Sequence, residues 1–259
     1  MASMMPVALF TACWLVGMLL MIEIGRRLGL RRLARDPAKG MAGLGPVEGA
    51  VFALFGLIIA FTFSGGASRY DSKRQLIAEE ANDIGTAYLR LDLLPASSQP
   101  ALRALFRDYL DSRLAIYRKL PDWDAAKAEF VRSEALQREI WTQAVAATRE
   151  PGAHVDAAKL LLPSLNTMID ITTTRTMAAR THPPRILYFL LFILGLGCAL
   201  LAGYGMAEGK HRSWIHILGF AVIMGISVFV ILDLEYPRMG FIRLDAYDQV
   251  LVELREKMQ

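Results

Sequence analysis

Residues 61–74 read FTFSGGASRYDSKR, and they mark the boundary between an apolar and a charged part of the chain. An uncharged apolar run ends at Gly65-Gly66, and four charged residues follow by position 74. The stretch contains no proline, and two adjacent glycines cost a helix about 1 kcal/mol each relative to alanine. We therefore predict one helix that leaves a membrane and continues into a polar domain, with a hinge at the permissive glycines as the alternative.

Four stretches are long and apolar enough to cross a bilayer, which takes about 20 apolar residues in a helix. They are Pro6–Ile22, Gly49–Ser68, Ile186–Ala207 and Trp214–Leu232. The first has no basic segment before it and no small-residue cleavage site after it, which favours an uncleaved span over a signal peptide. We expect a multi-pass membrane protein.

The region between the second and third spans has the pattern of long helices. Apolar residues recur at intervals of three and four from Ile77 to Leu91, as on one face of a helix. Prolines at 95, 121, 151 and 183 divide the region into four helical segments. The predicted fold class is all-α, with four transmembrane helices in two pairs and a long helical extramembrane bundle inserted between spans 2 and 3.

Four domains follow from these boundaries. Residues 1–68 hold transmembrane helices 1 and 2 with their basic connecting loop, and residues 69–183 form the extramembrane helical bundle. Residues 184–233 hold transmembrane helices 3 and 4, and residues 234–259 form a C-terminal polar helix or tail.

The distribution of charge predicts the orientation. The short first loop has six basic residues against Asp36 alone, and the short last loop has Lys210 and Arg212. Short loops rich in Lys and Arg face the cytoplasm, which puts the helical bundle on the other side of the membrane. Residues 69–185 contain 17 basic and 15 acidic residues, so no concentrated positive face points to nucleic acid.

The end of the second span carries a resemblance to a known family. Residues 63–74 (FSGGASRYDSKR) are similar to the bestrophin pattern, in which small and polar residues are followed by Tyr-Asp and a long helix. The order of spans and insert also matches, as does EYPRMG at 235–240 after the last span. With MIDITTTRTMAARTHPP at 168–184, the chain is identified as a member of the bacterial bestrophin-like family, a domain of unknown function. The tryptophan pair of true bestrophins is absent, and Lys73 and Arg74 lie near its place.

The resemblance implies a homo-oligomer, expected to be a pentamer, in a bacterial inner (cytoplasmic) membrane. Its partners would be the lipid bilayer, its own copies and anions, with no cofactor, and its second spans would line an anion pore. The neck residues, spaced four apart, would be Phe55, Ile59 and Phe63. In the alternative interpretation these three are ordinary bulky side chains that face lipid or other helices. A shift of one residue gives Gly56, Ala60 and Ser64, which would line a wider and wetter pore.

Three further groups of residues are candidates for function. The junction where the second span leaves the membrane comprises Gly65, Gly66, Tyr70 and Asp71, whose small residues let another backbone approach closely. Thr173, Arg175 and Arg180 would form an anion-attracting vestibule, or else only a polar helix face.

Asp233 and Glu235 are the calcium candidates, because hard cations prefer several carboxylate oxygens. The alternative makes the acidic residues after the last span ion-pair partners of the basic helix 69–74, and no metal site is otherwise predicted.

In bestrophins the helical insert is cytosolic, whereas the loop charges of this chain place it outside, and we follow the loop charges.

No enzyme motif is present: there is no G-x-S-x-G, no HExxH and no P-loop, and the four histidines are scattered. The alternative to a channel is a non-conducting membrane scaffold or sensor that binds a partner protein through its helical bundle.

Overall fold

The computed structural model describes residues 5–35, 45–209, 214–238 and 240–258, with the side chains from residue 7 onward. Within these ranges the chain is helical and contains no strand. The helices are α1 (Met5–Arg35), α2 (Gly45–Leu89), α3 (Gln99–Arg118), α4 (Trp123–Ala147), α5 (Ala157–Arg180), α6 (Arg185–Gly205), α7 (Trp214–Glu235) and α8 (Gln249–Lys257). The loop charges from Asp36 to Lys39 and at Lys210 and Arg212, which support the predicted orientation, lie outside the described residues.

Helix α2 runs for 45 residues without a break. It passes through Gly65-Gly66 and the charged residues after them, which confirms the prediction of one continuous helix there. A short 3-10 turn, Arg90–Leu93, ends it just before Pro95. The hinge alternative is wrong as a break in the helix, because backbone hydrogen bonding continues on both sides of the glycines.

The described residues fall into two compact units. The first contains the chain up to Ser68 together with His182–Tyr236. The second contains Arg69–Thr181 together with the chain from Pro237. Four helical stretches are long and apolar enough to cross a membrane: Val7–Arg35, Gly45–Leu93, Ala157–Glu208 and Trp214–Glu235. The protein is a multi-pass membrane protein.

Helices α1 and α6 of the first unit pack almost backbone to backbone. A Cβ on Gly25 would overlap the carbonyl oxygen of Leu200, and a Cβ on Gly203 would overlap the carbonyl oxygen of Ile22. Such small-residue crossings are typical of transmembrane helices, where close packing replaces the hydrophobic effect. Large side chains fill the rest of the interior: Trp14, Met18, Phe55, Leu191, Ile217, Val228 and Ile231.

The second unit is built around α3, which buries Leu102, Phe106, Tyr109 and Leu110. Local signals set the helix ends as the prolines predict. Asp122 caps α4 by accepting a hydrogen bond from the backbone N–H of Ala125 at 3.0 Å, a standard N-cap contact.

The C-terminal segment is part of the second unit. Leu244, Leu251 and Met258 are buried in its core. Arg255 also donates two hydrogen bonds, at 2.9 and 3.0 Å, to the two carboxylate oxygens of Asp111 on α3. The described residues of this segment, up to residue 258, therefore pack against the helices of the second unit.

Candidate functional site

The three predicted neck residues of α2 do not share one environment. Phe55 is 1 % exposed and belongs to the core of the first unit, where its ring reaches within 3.2 Å of a Cβ built on Gly195 of α6. Ile59 is half-buried against the same core. Phe63 is 46 % exposed. Of these three side chains, Phe63 is the most exposed on the surface of the chain.

The opposite face of the first part of α2 is exposed and made of small residues. Ala53, Gly56, Ala60 and Ser64 are all exposed, and nothing lies within 4 Å of a Cβ built on Gly56. Three of these are the alternative register that the sequence leaves open. Larger exposed residues, among them Leu57 and Phe61, flank this stripe. The other apolar helices expose large residues instead: Leu9, Val16 and Leu20 on α1 and Ile215, Val222 and Ile226 on α7.

The second part of α2 also has an exposed face, and it is polar. The exposed residues there include Asp71, Gln75, Ala78, Asn82 and Thr86. Positions 53, 60, 64, 71, 78 and 82 are separated by seven or four residues, close to whole turns of an α-helix with 3.6 residues per turn. The small stripe and the polar face therefore follow the same side of one helix. We name these residues, 53–86, the α2 open face.

The helix-exit junction is packed on one side of α2. Gly66 is buried, and a Cβ there would lie 3.5 Å from the carboxylate of Glu235 and 3.7 Å from Leu234. Gly65 is half-buried. One turn later, Tyr70 donates a hydrogen bond to the carbonyl oxygen of Arg243 at 3.2 Å. The glycine thus leaves room for the end of α7.

The three predicted vestibule residues are separated in the structure. Thr173 and Arg180 are exposed on α5, but Arg175 is buried and its guanidinium is ion-paired with Glu80 of α2. Burial lowers the pKa of Arg175 to about 9, and the nearby positive charge of Arg238 contributes to the shift. Arg175 therefore stays charged at neutral pH but lies inside the second unit, away from the surface where a vestibule residue would act.

Glu80 is the centre of a buried ionic network that the sequence did not reveal. Its side chain is fully buried and accepts a hydrogen bond from Arg113 Nε at 2.6 Å in addition to the Arg175 pair. The ring of Tyr117 lies beneath three guanidinium groups, with Arg175 at 4.7 Å and Arg238 at 4.3 Å from the ring centroid. Arg238 in turn is ion-paired with Asp248. The network joins α2, α3, α5 and the C-terminal segment.

One feature of the sequence did indicate that Glu80 has a partner inside the bundle. It lies between Ile77 and Ile84 on the buried stripe of α2, where a charged residue needs a partner inside the bundle. The identity of that partner was not readable, because Arg113 and Arg175 are 33 and 95 residues away in the sequence.

The calcium candidates Asp233 and Glu235 are both buried at the end of α7. Glu235 Oε2 lies 3.5 Å from His182 Nδ1, and the His182 and Tyr236 rings are 5.0 Å apart. Among the described residues, no three His, Cys, Asp or Glu side chains come together as a metal-binding group. Within the described chain, Glu235 thus lies beside an imidazole ring and not in a cluster of carboxylates.

The sequence matches the family model of the Bestrophin-like domain over residues 12–246. No curated protein matches it. Among solved structures, two variants of a bacterial bestrophin homologue from Klebsiella pneumoniae are similar, each 13 % identical in sequence. One superposes with a TM-score of 0.71 over 97 % of this chain and 98 % of its own, and the other with 0.70 over 94 % and 99 %. At this identity the likeness shows a common fold.

Proposed function

The chain belongs to the bestrophin-like family, and on that premise we propose that it forms a homo-oligomeric ion channel whose pore is lined by α2. The observation that carries the proposal is the α2 open face. Within the apolar part of the chain, α1, α2 and α7 all expose large residues suited to lipid, and α2 also exposes a stripe of glycine, alanine and serine. Small residues in a span suit close helix contacts or a lumen better than lipid.

The second part of the face supports the same conclusion. Gln75, Asn82 and Thr86 continue the stripe with exposed neutral polar side chains, which are compatible with a water-filled path. Copies arranged around an axis would bring these faces together around one hydrated path.

We place the pore face in the register of Gly56, Ala60 and Ser64, with Phe63 at its edge as the bulky neck residue. Phe55 is then a packing residue that holds α2 against α6, because it is buried in its own subunit. Apolar constrictions can gate ion flow by dewetting, and a ring of Phe63 side chains would supply one.

The resemblance supports two further parts of the proposal, a pentamer and a preference for anions. Exposed Arg180 and Thr173 of α5 would favour anions near the pore mouth. Exposed Asp71 and Glu79 on α2 would favour cations. We propose anions, and the reversal potential in a chloride gradient tests that choice directly. The helical bundle is proposed on the non-cytoplasmic side, as the loop charges predict.

Substituted cysteines test whether the open face lines the pore. In a protein whose Cys13 and Cys198 are replaced by alanine, we expect a charged thiol reagent to abolish liposome ion flux through Ala60→Cys. The matched control is Ile223→Cys, on the exposed apolar surface of α7, where the reagent should leave flux unchanged. The reagent reaches thiols only through water, so block at residue 60 requires a hydrated path.

Two outcomes would contradict the proposal. Purified protein that carries no ion flux in liposomes would favour the scaffold or sensor. An oligomer smaller than a trimer by native mass measurement would exclude a pore formed between copies of α2.

A further inference from the structure

The short segment 240–244 after α7 exposes a large aromatic side chain. Phe241 is 76 % exposed, although Leu244 three residues later is buried in the core of the second unit. Two hydrogen bonds hold the C-terminal end of this segment: Leu244 N–H donates to the carbonyl oxygen of Pro237 at 3.0 Å, and the carbonyl oxygen of Arg243 accepts from Tyr70. Phe241 is therefore exposed on a segment whose C-terminal end is hydrogen-bonded to the rest of the second unit.

The segment is hydrogen-bonded to α2 shortly after the uncharged stretch of that helix ends. Tyr70, which binds the carbonyl oxygen of Arg243, is two residues beyond Ser68, the last residue of the uncharged stretch. Two residues of helix are about 3 Å. The headgroup region on each side of a bilayer is about 5–7 Å thick, so the Tyr70 backbone falls within it.

The length of the connecting chain independently limits how far Phe241 can lie from the membrane. Phe241 follows Glu235, the last residue of the membrane-spanning helix α7, by six residues. Six residues span at most about 20 Å even when fully extended. Phe241 therefore stays within that distance of the end of the span.

The side chains around the turn are those that favour a membrane interface. Arg74 donates to the Tyr247 hydroxyl at 3.4 Å and lies 5.3 Å from the centroid of the same ring. The Arg243 guanidinium is exposed and paired with Asp245 at 2.5 Å. Tyrosines are enriched at the headgroup level, and arginines extend their charged ends toward water from there.

We propose that segment 240–244 is an interfacial anchor and that Phe241 inserts into the boundary between phospholipid headgroups and acyl chains. The anchor fixes the turn that holds Tyr70, and with it the start of the polar part of α2. It depends on the membrane spans and not on ion conduction. Charges beside Phe241 cancel, with Arg238 and Arg243 against Asp245 and Asp248, so insertion does not require anionic lipid.

Fluorescence quenching by brominated lipid tests the anchor. Phe241→Cys, in full-length protein with Cys13 and Cys198 replaced by alanine, is labelled with an environment-sensitive dye and reconstituted in phosphatidylcholine vesicles. We expect blue-shifted emission and strong quenching by phosphatidylcholine brominated near the headgroup end of the acyl chain. Adding phosphatidylserine should leave the quenching unchanged. The control is Val155→Cys, which is 85 % exposed in the same unit and should respond only to aqueous iodide.

Three results would overturn the anchor. Emission and iodide quenching at position 241 equal to those at position 155 would place Phe241 in water. Quenching by an acceptor on other copies, without quenching by brominated lipid, would make the turn a contact between subunits. Quenching only in the presence of phosphatidylserine would contradict the charge balance. If labelled Phe241→Cys does not fold, labelled Arg243→Cys, whose side chain is exposed, should still show lipid quenching.

Discussion

The two units of this protein achieve tight packing by different chemistry. In the first unit, Gly25 and Gly203 bring the backbones of α1 and α6 into contact, apolar side chains fill the space between the spans, and the buried carboxylates Asp233 and Glu235 lie at the end of α7. In the second unit, an apolar core surrounds a buried carboxylate, Glu80, with two arginines bound to it. The spans of the first unit are joined where side chains are absent, whereas the second unit has an ion-paired carboxylate in the middle of its helical core.

The solvents explain the difference. Between helices in lipid the hydrophobic effect gives little attraction, so close van der Waals contact between backbones must supply it. In water the hydrophobic effect drives a bundle together, and a buried charge is tolerated when ion pairs and hydrogen bonds satisfy it. Each unit thus depends most on a feature that would contribute little in the other.

Among the variants that test this contrast, Glu80→Ala is expected to have the largest effect on stability. Removal of one member of a buried ion pair costs about 3–5 kcal/mol, because the remaining charge stays buried without compensation. Here Arg113 and Arg175 would both lose their carboxylate. We expect thermal unfolding of the second unit, followed by circular dichroism in detergent, to shift strongly downward.

The matched control is Glu79→Ala, one residue earlier on the same helix but exposed. A surface change of this kind stays within about 0.5 kcal/mol of the original stability. If Glu80→Ala were as stable as Glu79→Ala, the ionic network would not hold the second unit together, and the contrast between the units would fail.

The same contrast shows how far the sequence could predict this structure. The helix ends at Pro95, Asp122 and Pro183 were predictable because local chemistry sets them: proline blocks continuation, and an N-cap oxygen binds the first free N–H groups. The continuity of α2 was predictable for the same reason, since no residue between its ends forces a stop.

The faces of the spans were not predictable. The first part of α2 is apolar on all sides, so its sequence has no period to distinguish Phe55, which is buried, from Phe63, which is exposed. Arg175 was assigned to a vestibule because it lies in a run of threonines, and its buried partner Glu80 is 95 residues away. Pairings over such distances depend on tertiary packing that a single sequence does not display.

An intermediate effect is expected from Gly203→Ala. Its Cβ would overlap the carbonyl oxygen of Ile22, so α1 and α6 must separate. Overpacking of this kind costs about 1–3 kcal/mol. Gly197→Ala on the same helix is the control, because nothing lies within 4 Å of a Cβ there. Resistance to unfolding by sodium dodecyl sulfate measures both. Equal resistance of the two variants would show that the glycine crossing does not stabilise the first unit.

The smallest expected effect comes from Asp83, which lies on the same helix as Glu80 but whose carboxylate is not fully hydrogen-bonded. Asp83 lies one turn after Glu79, and its Oδ2 atom is buried without a hydrogen-bond partner among the described residues. Burial raises the pKa of the Asp83 carboxyl, and the Glu79 carboxylate raises it further. The ionised form is therefore disfavoured in the folded state. Its cost is fully present above the raised pKa and vanishes below the unfolded value of 3.8.

Asp83→Asn removes that ionisation. We expect a gain of about 0.5 kcal/mol at pH 8, reduced for the partial exposure of the group, and a smaller gain at pH 4, measured as the difference in melting temperature. Loss of stability at pH 8 in the oligomer but not in dissociated subunits would mean that a neighbouring copy supplies the missing partner. Asp83 would then be a contact between subunits on the edge of the α2 open face, and the second unit would contain no unsatisfied carboxylate there.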